Sequence, residues 1–253
     1  MEVTRKPLQG VTNIARFNWH FYLIAFIAFT LAFLFQSSIP GQFRIYVFSA
    51  SVVALLTMII SLLVSYYVYD FSNLYSLSWL PNSEFKKVLN INAGFDETSQ
   101  FIKGKFPKCE LTICDFYDKE KHTEVSIKRA RSAYPPLIGT IEVSTNKLPF
   151  KDNEFEYCLA ILSAHEIRDK SERVQFFNEL KRVTKPNGQI FVTEHLRDFN
   201  NFLAYTIGSF HFYSKSTWKE TFKLANLSVE REIKTTPFIT TFILNDNGNG
   251  DTL

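Results

Sequence analysis

The stretch Leu148–His195, LPFKDNEFEYCLAILSAHEIRDKSERVQFFNELKRVTKPNGQIFVTEH, decides the fold because it alternates between strand, helix and strand. Phe155–Ala164 is a nearly continuous apolar run, typical of a strand buried on both faces of a parallel sheet. Gln189–His195 is rich in β-branched and aromatic residues and predicts the next strand. The stretch therefore predicts a β-α-β unit, whose natural host is a doubly wound α/β sheet.

A helix is predicted between these two strands. Asp169 is its candidate N-cap, with Glu172 three residues on, and the turn residues Pro186, Asn187 and Gly188 predict its end. Apolar side chains recur at helical spacing along one face: Val174, Phe177, Leu180 and Val183. We therefore expect this face to pack against the sheet.

Composition and charge limit the possible classes of function. The chain has 253 residues, of which 46% are apolar and 16% aromatic, enough for one sizeable domain and an appendage. Residues 1–80 carry four Lys or Arg against two Asp or Glu, and the remainder carries 24 against 23. Such a balance gives no basic field for a nucleic-acid partner. Cys109, Cys114 and Cys158 lack C-x-x-C spacing, which favours buried free thiols in a reducing compartment.

Two long uncharged segments precede the α/β domain. Between Arg16 and Arg44 lie 27 uncharged residues, and between Arg44 and Asp70 lie 25 more. Because about 20 helical residues span the roughly 30 Å hydrocarbon core of a bilayer, each segment is long enough to cross it. The sequence predicts a hairpin of two transmembrane helices, at about residues 17–36 and 45–69. Buried helices of a soluble protein or a cleaved signal peptide are the alternatives.

Positive charges predict the orientation of this hairpin. Three precede the first helix, one lies in the turn and two follow the second helix: Arg5, Lys6, Arg16, Arg44, Lys86 and Lys87. Lys and Arg are enriched in cytoplasmic loops. We therefore expect a multi-pass protein of the cell membrane, with both termini and the α/β domain in the cytoplasm.

These boundaries divide the chain into five parts. They are a cytoplasmic N-terminal segment (1–16), the transmembrane hairpin (17–70), a juxtamembrane linker (71–85), the α/β domain (86–245) and a disordered tail (246–253). Tyr75 and Trp79 in the linker fit two arrangements. One is a collar at the membrane surface, and the other is a segment whose aromatic rings pack on the domain.

The remaining strands and helices of the domain follow from the same patterns. Strands are predicted over Lys87–Asn92, Glu110–Asp115, Leu137–Val143, Ser228–Ile233 and Phe238–Leu244. Helices are predicted from about Glu97, over Glu120–Ala133, and from a capping box at Thr217. In the second of these helices, we expect Lys128, Arg129 and Arg131 to form a solvated face.

Three pieces of the chain resemble one enzyme family in their order and spacing. Leu148-Pro149-Phe150, with Asn153 and Phe155, resembles the turn LPF-x-(D/S)-x-x-F-D into strand four, and His165 lies just beyond that strand. Glu179–Gly188, ELKRVTKPNG, is similar to the signature E-x-x-R-V-L-K-P-G-G that enters strand five. These are patterns of class I S-adenosylmethionine-dependent methyltransferases of the type 11 group, which includes ubiquinone and menaquinone methyltransferases. The resemblance implies a doubly wound, seven-stranded Rossmann-like sheet over residues 86–245 and S-adenosylmethionine as the cofactor.

The resemblance also places a cofactor loop after the first strand. The family pattern V-L-D-(I/V)-G-x-G-x-G falls on residues 88–96, with Asn90 in place of the acid. Asn92 and Asp96 replace two of the three glycines, and Gly94 is retained. Glycine lets the backbone approach a ligand, and asparagine also tolerates left-handed backbone. We therefore expect Asn90, Asn92 and Gly94 to bind the cofactor.

Three further residues complete the expected cofactor site. Asp115 ends the second strand, where a carboxylate can accept hydrogen bonds from both ribose hydroxyls. A carboxylate that ends a strand without binding any ligand is the alternative. By the resemblance, Ser144 lies where the family often has an acid near the adenine amino group, and Leu148 contacts the cofactor from the turn into strand four.

Candidate catalytic groups follow strands four and five, at the edge where sheets of this type bind ligands. His165 and Glu166 follow strand four and His195 ends strand five, and groups of this kind can remove a proton from an oxygen acceptor. A structural histidine is the alternative for His165. Second candidates lie in the aromatic region after strand five: Tyr205, His211 and Tyr213. Because no H-E-x-x-H spacing occurs, no metal site is expected.

Two functions are compatible with these observations. The first is a membrane-anchored methyltransferase acting on a small lipophilic acceptor, because an anchored domain meets lipophilic molecules at high local concentration. The second is a non-catalytic membrane protein of the same fold that serves as a binding or scaffolding module, which the altered cofactor loop favours. A nicotinamide-dependent oxidoreductase would need a glycine-rich fingerprint that this chain lacks.

Overall fold

A computed structural model describes residues 5–81 and 87–246 of the chain. Its helices are α1 (Gln9–Phe17), α2 (Trp19–Leu34), α3 (Gly41–Tyr66), α4 (Ser99–Lys105), α5 (Val125–Ala133), α6 (Lys170–Val183), α7 (Phe199–Tyr205) and α8 (Lys215–Leu224). Its strands are β1 (Lys87–Asn92), β2 (Glu110–Asp115), β3 (Ile141–Glu142), β4 (Phe155–Ile161), β5 (Thr184–His195), β6 (Leu227–Thr236) and β7 (Ile239–Asp246). The expectations for Lys86 and for the tail after Asp246 lie outside the described residues.

In the described residues, seven strands form one sheet in the order β3-β2-β1-β4-β5-β7-β6. β1 pairs in parallel with β2 and β4, β4 pairs in parallel with β5, and β7 runs antiparallel to its neighbours. This order confirms the predicted doubly wound sheet. The carboxyl ends of β1, β2, β4 and β5 meet at one edge, with Asn92 opposite Asp115 in the register.

The β4-α6-β5 unit confirms the prediction from the stretch that decides the fold. Asp169 caps α6 by accepting a hydrogen bond from the backbone N–H of Glu172, an interaction that typically contributes about 1 kcal/mol. α6 buries Phe176, Phe177 and Leu180 against the sheet, and each such side chain stabilises the fold by about 1.5–3 kcal/mol.

The start of β5 differs from its prediction. α6 ends at Val183 and β5 begins at once at Thr184, so Pro186–Gly188 lie within the strand and do not form a separate turn. An irregularity in the β4–β5 register, between Phe155 and Tyr157, accommodates the proline. A Cβ at Gly188 would lie 2.5 Å from the carbonyl oxygen of Glu156. Glycine is therefore required where the two strands approach each other.

Other boundaries differ by a few residues because side-chain caps set them. α4 begins at Ser99, since Asp96 accepts the N–H groups of Thr98 and Ser99. α8 begins at Lys215, and its N-cap is Ser214, which accepts the N–H of Thr217, so the capping box predicted at Thr217 was wrong by three residues. Three elements are shorter than predicted: α5, β3 and β4.

The cysteines are free thiols, as predicted. Cys114 and Cys158 are buried, and Cys109 is partly buried. Burial raises the pKa of the Cys114 and Cys158 thiols to about 12. These two side chains therefore stay protonated and act as small apolar groups of the core.

The N-terminal helices are more strongly bent than the predicted hairpin. α1 and α2 meet at Asn18 with a bend of 67°, and α3 continues into a π-helix at Tyr67–Phe71. The segment Gly41–Ser76 is long and apolar enough to cross a membrane, whereas α1 and α2 meet that criterion only as a bent pair. Most large apolar side chains of α2 and α3 are exposed.

α1 turns away from α2 and docks on the end of α3 and on the domain. Both carboxylate oxygens of Asp70 accept hydrogen bonds, from the N–H groups of Gly10 at 2.7 Å and Val11 at 2.8 Å. A Cβ at Gly10 would lie 2.4 Å from the Cβ of Tyr69, so this contact requires glycine. Arg129 of α5 donates to the carbonyl oxygen of Phe17. The prediction that Arg129 lies on a solvated face was therefore wrong.

The described part of the linker, up to Pro81, packs on the domain, which is the second of its two predicted arrangements. Leu74, Leu77 and Trp79 are buried, and the rings of Trp79 and Phe191 lie 5.6 Å apart. Leu77 and Trp79 share one apolar cluster with residues of β1, β4 and β5. The core of the domain therefore begins before the first strand.

Candidate functional site

The candidate site lies at the sheet edge where β1, β2, β4 and β5 end. The first turn after β1 is held by Asn92, whose Oδ1 accepts the N–H of Gly94 and whose Nδ2 donates to the carbonyl of Cys114, both at 3.0 Å. Gly94 has a φ of +94°, and a Cβ there would lie 2.9 Å from the ring of Tyr117. This glycine is therefore needed both for its backbone conformation and for the close approach of Tyr117.

Asn90 and Asp96 are bound to the start of α4. Asn90 Nδ2 donates to the hydroxyls of Thr98 and Ser99, at 3.0 and 2.8 Å. Asp96 Oδ1 accepts the N–H groups of Thr98 and Ser99 at the start of α4. Asn90 Oδ1 and Asp96 Oδ2 are buried without a hydrogen-bond partner among the described residues. Buried acceptors of this kind usually have a partner, and two of them here fit a ligand that brings N–H donors, such as the ammonium group of S-adenosylmethionine.

Asp115 is buried at the end of β2, where the ribose contact was predicted. Its Oδ1 accepts the N–H of Tyr117 at 2.8 Å, and its Oδ2 is paired with Arg131. The Arg131 guanidinium lies 4.6 Å from the centre of the Tyr117 ring and 3.7 Å from Glu142 Oε1. The prediction that Arg131 lies on a solvated face was wrong. Arg131 pairs with Asp115 Oδ2, an oxygen that would be needed to accept a ribose hydroxyl.

α1 covers the cofactor loop from the other side. The ring of Phe95 lies 5.7 Å from Phe17 and 5.3 Å from Tyr134, and the Tyr134 hydroxyl donates to Asn13 Oδ1 at 3.0 Å. No sequence pattern indicates this contact, because Asn13 and Phe17 lie in segments that were predicted to be separate from the domain.

Glu97 ties the same loop to the N-terminal segment and the linker. Its Oε1 accepts from Arg5 at 3.0 Å and its Oε2 from the Tyr75 hydroxyl at 2.8 Å. The Arg5 guanidinium also lies 4.0 Å from the centre of the Tyr75 ring. The loop of the candidate site is thus built from three parts of the chain.

Ser144 and Leu148, which were predicted to contact the cofactor, lie in different surroundings. Ser144 is exposed, and its hydroxyl accepts the N–H of Asn146. Leu148 is buried in the main core, and its N–H donates to Glu179 Oε2 at 2.8 Å. Roles for these two residues in cofactor binding stay predictions.

The E-x-x-R signature has a structural explanation here. Glu179 and Arg182 form an ion pair at 2.6 Å, and Arg182 also donates to the carbonyl oxygens of Leu148 and Phe150. The signature therefore fixes the LPF turn, which leads into β4 and so positions His165 at the far end of that strand.

Histidines and carboxylates cluster after β4 and β5. His165 Nδ1 lies 2.7 Å from Glu194 Oε2, and the backbone N–H of His165 donates to Glu194 Oε1. His165 Nε2 lies 3.4 Å from Glu166 Oε1. His211, which sequence reasoning ranked second, comes from the segment after α7 and places its Nε2 3.6 Å from the same Glu166 oxygen. The two predicted residues His165 and Glu166 are thus brought together with His211.

The charges of this cluster shift its pKa values. Burial lowers the pKa of His165, but the neighbouring carboxylates of Glu194 and Glu166 outweigh it and raise the pKa to about 10. Burial raises the pKa of Glu166, but the hydrogen bonds and charges of His165 and His211 outweigh that effect and hold it well below its usual range. The cluster is therefore a compact set of opposite charges.

His195 is separate from this cluster and is bound on both sides of its ring. Its Nε2 lies 2.8 Å from the Tyr69 hydroxyl and its Nδ1 lies 2.9 Å from Asn201 Oδ1. The ring also stacks on Phe212 at 4.8 Å. Both ring nitrogens of His195 thus have protein partners, and the side chain links β5 to the π-helix that continues α3. Its predicted role as a base stays a prediction.

The stability of the protein should depend on pH through His195. Burial lowers its pKa from 6.5 to about 4. Below pH 6.5 the imidazole of His195 binds a proton in the unfolded chain but stays neutral in the folded chain. The free energy of unfolding therefore decreases as the pH falls from about 6.5 to 4. The shift corresponds to about 3 kcal/mol. We expect urea unfolding in detergent to show this loss in the native protein but not in His195→Gln.

Between pH 7 and 8 the imidazole is neutral in both states, so the two proteins should show the same pH dependence there. Equal losses of stability in both proteins between pH 6.5 and 4 would contradict the assignment of the effect to His195.

Residues 91–192 match the type 11 family described as a methyltransferase domain. The chain is 30% identical over 133 residues to the demethylmenaquinone methyltransferase of Thermotoga maritima, covering 53% of this chain and 52% of that protein. It is 35% identical over 78 residues to the 2-phytyl-1,4-naphtoquinone methyltransferase of Nostoc sp., covering 30% of this chain and 33% of that protein. The chain thus spans about half or less of these curated relatives.

Solved structures share the fold. A protein of Pyrococcus horikoshii OT3 has a TM-score of 0.52 at 18% identity, covering 72% of this chain and 91% of that one. An O-methyltransferase family 2 protein of Planctomyces limnophilus, solved in complex with apigenin, has a TM-score of 0.52 at 13% identity, covering 75% and 60%. At these identities the likeness concerns the fold alone. The strand order and the domain match together support a methyltransferase fold that includes residues 91–192, and S-adenosylmethionine is the cofactor that such a domain implies.

Proposed function

We propose that this chain is a membrane-anchored, S-adenosylmethionine-dependent methyltransferase that acts on a small lipophilic acceptor. We place its domain and both termini on the cytoplasmic side of the cell membrane. The observation that carries the proposal is the sheet edge at which Gly94 and Asp115 keep the positions of a cofactor site. Exposed apolar helices on the same chain support the anchoring.

The residues of the first turn fit the cofactor. In this proposal Asp115 accepts hydrogen bonds from the ribose hydroxyls, and the loop at Gly94 lets the backbone approach the ligand. Asn90 Oδ1 and Asp96 Oδ2 supply the unpaired acceptors described above. Binding requires Arg131 to release Asp115. The Arg131 side chain is 22% exposed and lies 3.7 Å from Glu142, so Arg131 can pair with this second carboxylate when it leaves Asp115.

The contribution of the protein to catalysis is mainly alignment. S-adenosylmethionine supplies a methyl group on a sulfonium, and its transfer is an in-line displacement in which the protein fixes donor and acceptor. Phe17 of α1 packs on Phe95 and so holds the loop in place. On the acceptor side Glu194, which is buried, fixes the ring of His165. Proton removal by His165 or Glu166 stays a prediction.

Two observations favour a lipophilic acceptor. The curated relatives described above carry the names of demethylmenaquinone and phytyl-naphthoquinone methyltransferases. In this chain, the segment from α7 to His211 exposes large apolar side chains next to α3, namely Phe199, Phe202, Leu203, Ile207 and Phe210. An exposed apolar surface of this kind beside an apolar helix suits a molecule that leaves the bilayer to reach the site.

The full-length protein in detergent provides the test. Calorimetric titration with S-adenosylmethionine and S-adenosylhomocysteine should give micromolar dissociation constants, about −8 kcal/mol. Vesicles containing a demethylated naphthoquinol should then yield a product heavier by one methylene group, detected by mass spectrometry. A folded protein that binds neither cofactor form would overturn the proposal.

A positive charge in the middle of α3 should weaken membrane insertion. Val53 is 58% exposed near the centre of this helix, and a lysine at a helix centre costs about 2.5–3.5 kcal/mol for insertion. We therefore expect Val53→Lys to lower the fraction of protein that floats with vesicles after carbonate extraction.

Leu224→Lys is the matched control, because Leu224 is 50% exposed on α8 of the domain. It should float like the native protein. Equal flotation of the native protein and Val53→Lys would argue against α3 as a membrane span.

A binding or scaffolding module without methyl transfer is the second candidate. Two observations favour it: Arg131 already occupies Asp115, and Tyr117 packs against Gly94. The cofactor titration separates the two candidates, since the module would bind neither form of the cofactor.

A further inference from the structure

His165, Glu166 and His211 form a cluster that lies outside the cofactor loop. His165 and Glu166 belong to a short 3-10 turn after β4, and His211 ends a second 3-10 turn after α7. One ligand atom from each side chain lies within 4.8 Å of the other two. The fold thus brings three side chains of metal-ligand type to one point, although 45 residues separate Glu166 from His211.

Both imidazoles are held by a carboxylate on their Nδ1 side. Glu194 Oε2 lies 2.7 Å from His165 Nδ1, and Glu124 Oε1 lies 3.1 Å from His211 Nδ1. An ionised carboxylate only accepts hydrogen bonds, so it keeps a ring proton on Nδ1 and leaves Nε2 as the atom that can bind a metal ion once its own proton is displaced. This carboxylate–histidine arrangement is the one that orients histidine ligands in metal sites.

The distances around Glu166 fit a shared metal better than hydrogen bonds. Glu166 Oε1 lies 3.4 Å from His165 Nε2 and 3.6 Å from His211 Nε2, which is long for an N–H···O hydrogen bond. In a tetrahedral zinc site with bonds of about 2.0–2.2 Å, neighbouring ligand atoms lie about 3.3–3.6 Å apart. Glu166 therefore has the spacing of a ligand that shares one ion with each histidine, and all three ligand atoms lie within 4.8 Å of one another.

The charge of the surroundings also favours a cation. Three carboxylates face the two imidazoles: Glu124, Glu166 and Glu194. The Arg168 guanidinium would repel a cation at this point, because its Nη2 lies 2.5–2.6 Å from the His211 ring nitrogens. The Arg168 side chain is 42% exposed and lies 3.9 Å from Glu124. It can therefore turn toward solvent or toward Glu124 when an ion binds.

We propose that His165 Nε2, Glu166 Oε1 and His211 Nε2 bind a divalent transition-metal ion of the zinc type and leave its fourth position open. Two histidines and one glutamate are a donor set suited to zinc, and three protein ligands leave one site for water or another oxygen ligand. The sequence analysis expected no metal because it considered ligands on a single helix, whereas these ligands come from two separate turns. The inference does not depend on methyl transfer.

The test is a titration of the full-length, untagged protein in detergent with Co²⁺, followed by displacement with Zn²⁺. We expect one equivalent of Co²⁺ to bind with the strong visible absorption of a tetrahedral site, and Zn²⁺ to abolish that absorption. His211→Ala and Glu166→Gln should lose the absorption. Glu194→Gln, which changes a residue that only orients His165, should weaken binding by about 10- to 100-fold.

His122→Ala is the matched control, because His122 is a buried histidine outside the cluster, and its Nδ1 lies 2.8 Å from the backbone nitrogen of Asp118. It should bind Co²⁺ like the native protein. Arg168→Ala should bind more tightly, since it removes the opposing charge. Absence of stoichiometric Co²⁺ binding would overturn the inference, as would binding that persists unchanged in both His211→Ala and Glu166→Gln while circular dichroism shows them folded. No S-adenosylmethionine enters this titration, so its failure is distinguishable from failure of the proposed function.

Discussion

Asp115→Asn should weaken S-adenosylmethionine binding by about 100-fold. The buried carboxylate at the end of β2 is placed to accept two hydrogen bonds from the ribose, and a hydrogen bond to a charged group contributes about 1.5–3 kcal/mol. The asparagine keeps the shape of the side chain but offers one acceptor oxygen in place of two. A loss of about 3 kcal/mol corresponds to a 100-fold higher dissociation constant, which calorimetry with the detergent-solubilised protein measures directly.

Glu110→Gln is the matched control for this variant. Glu110 begins β2, at the opposite end of the strand from Asp115, and its side chain is 67% exposed. It lies away from Arg131 and the ribose position, so its removal should leave the dissociation constant unchanged. An Asp115→Asn protein that binds the cofactor as the native protein does would remove the ribose assignment, and the Asp115–Arg131 pair would then be purely structural.

Trp79→Ala should destabilise the protein by about 3–5 kcal/mol. Trp79 is 5% exposed and packs on Phe191 of β5, and truncating a buried aromatic side chain leaves a cavity that costs this much. The expected loss is large because the linker belongs to the core of the domain. Chemical unfolding in detergent, followed through the circular dichroism of the domain, provides the measurement.

Trp19→Ala removes the same side chain from α2, where Trp19 is 50% exposed. This control should change the free energy of unfolding by less than about 1 kcal/mol. If the two variants unfolded alike, the linker would be a flexible connection between helices and domain, and the core would begin at β1.

The elements that the sequence predicted well are those with local causes. The apolar run of β4, the N-cap Asp169 and the periodic apolar face of α6 lie within one stretch of chain and depend on few distant residues. The E-x-x-R signature is also local, and its ion pair fixes the LPF turn. Such features appear in the structure nearly as predicted because backbone hydrogen bonding and burial favour the same arrangement.

The parts that could not be predicted depend on side chains that meet only in the folded protein. Arg131 has the appearance of a solvated helix residue, yet the fold places it on Asp115. His211 lies in an aromatic stretch without helical periodicity, and two consecutive turns are needed to bring it to Glu166. α1 has no pattern that distinguishes a membrane flank from a cover over the cofactor loop, because that role depends on Phe95 and Tyr134.

The docking of α1 sets an order for the assembly of the protein during synthesis. α1 leaves the ribosome before its partners: Asp70 lies 60 residues after Gly10, and Arg129, which donates to the carbonyl oxygen of Phe17, lies 112 residues after it. Until Asp70 has emerged, the N–H groups of Gly10 and Val11 lack their carboxylate, and until Arg129 has emerged α1 lacks this contact with α5. This helix can therefore reach its final place only after α3 and α5 have been made.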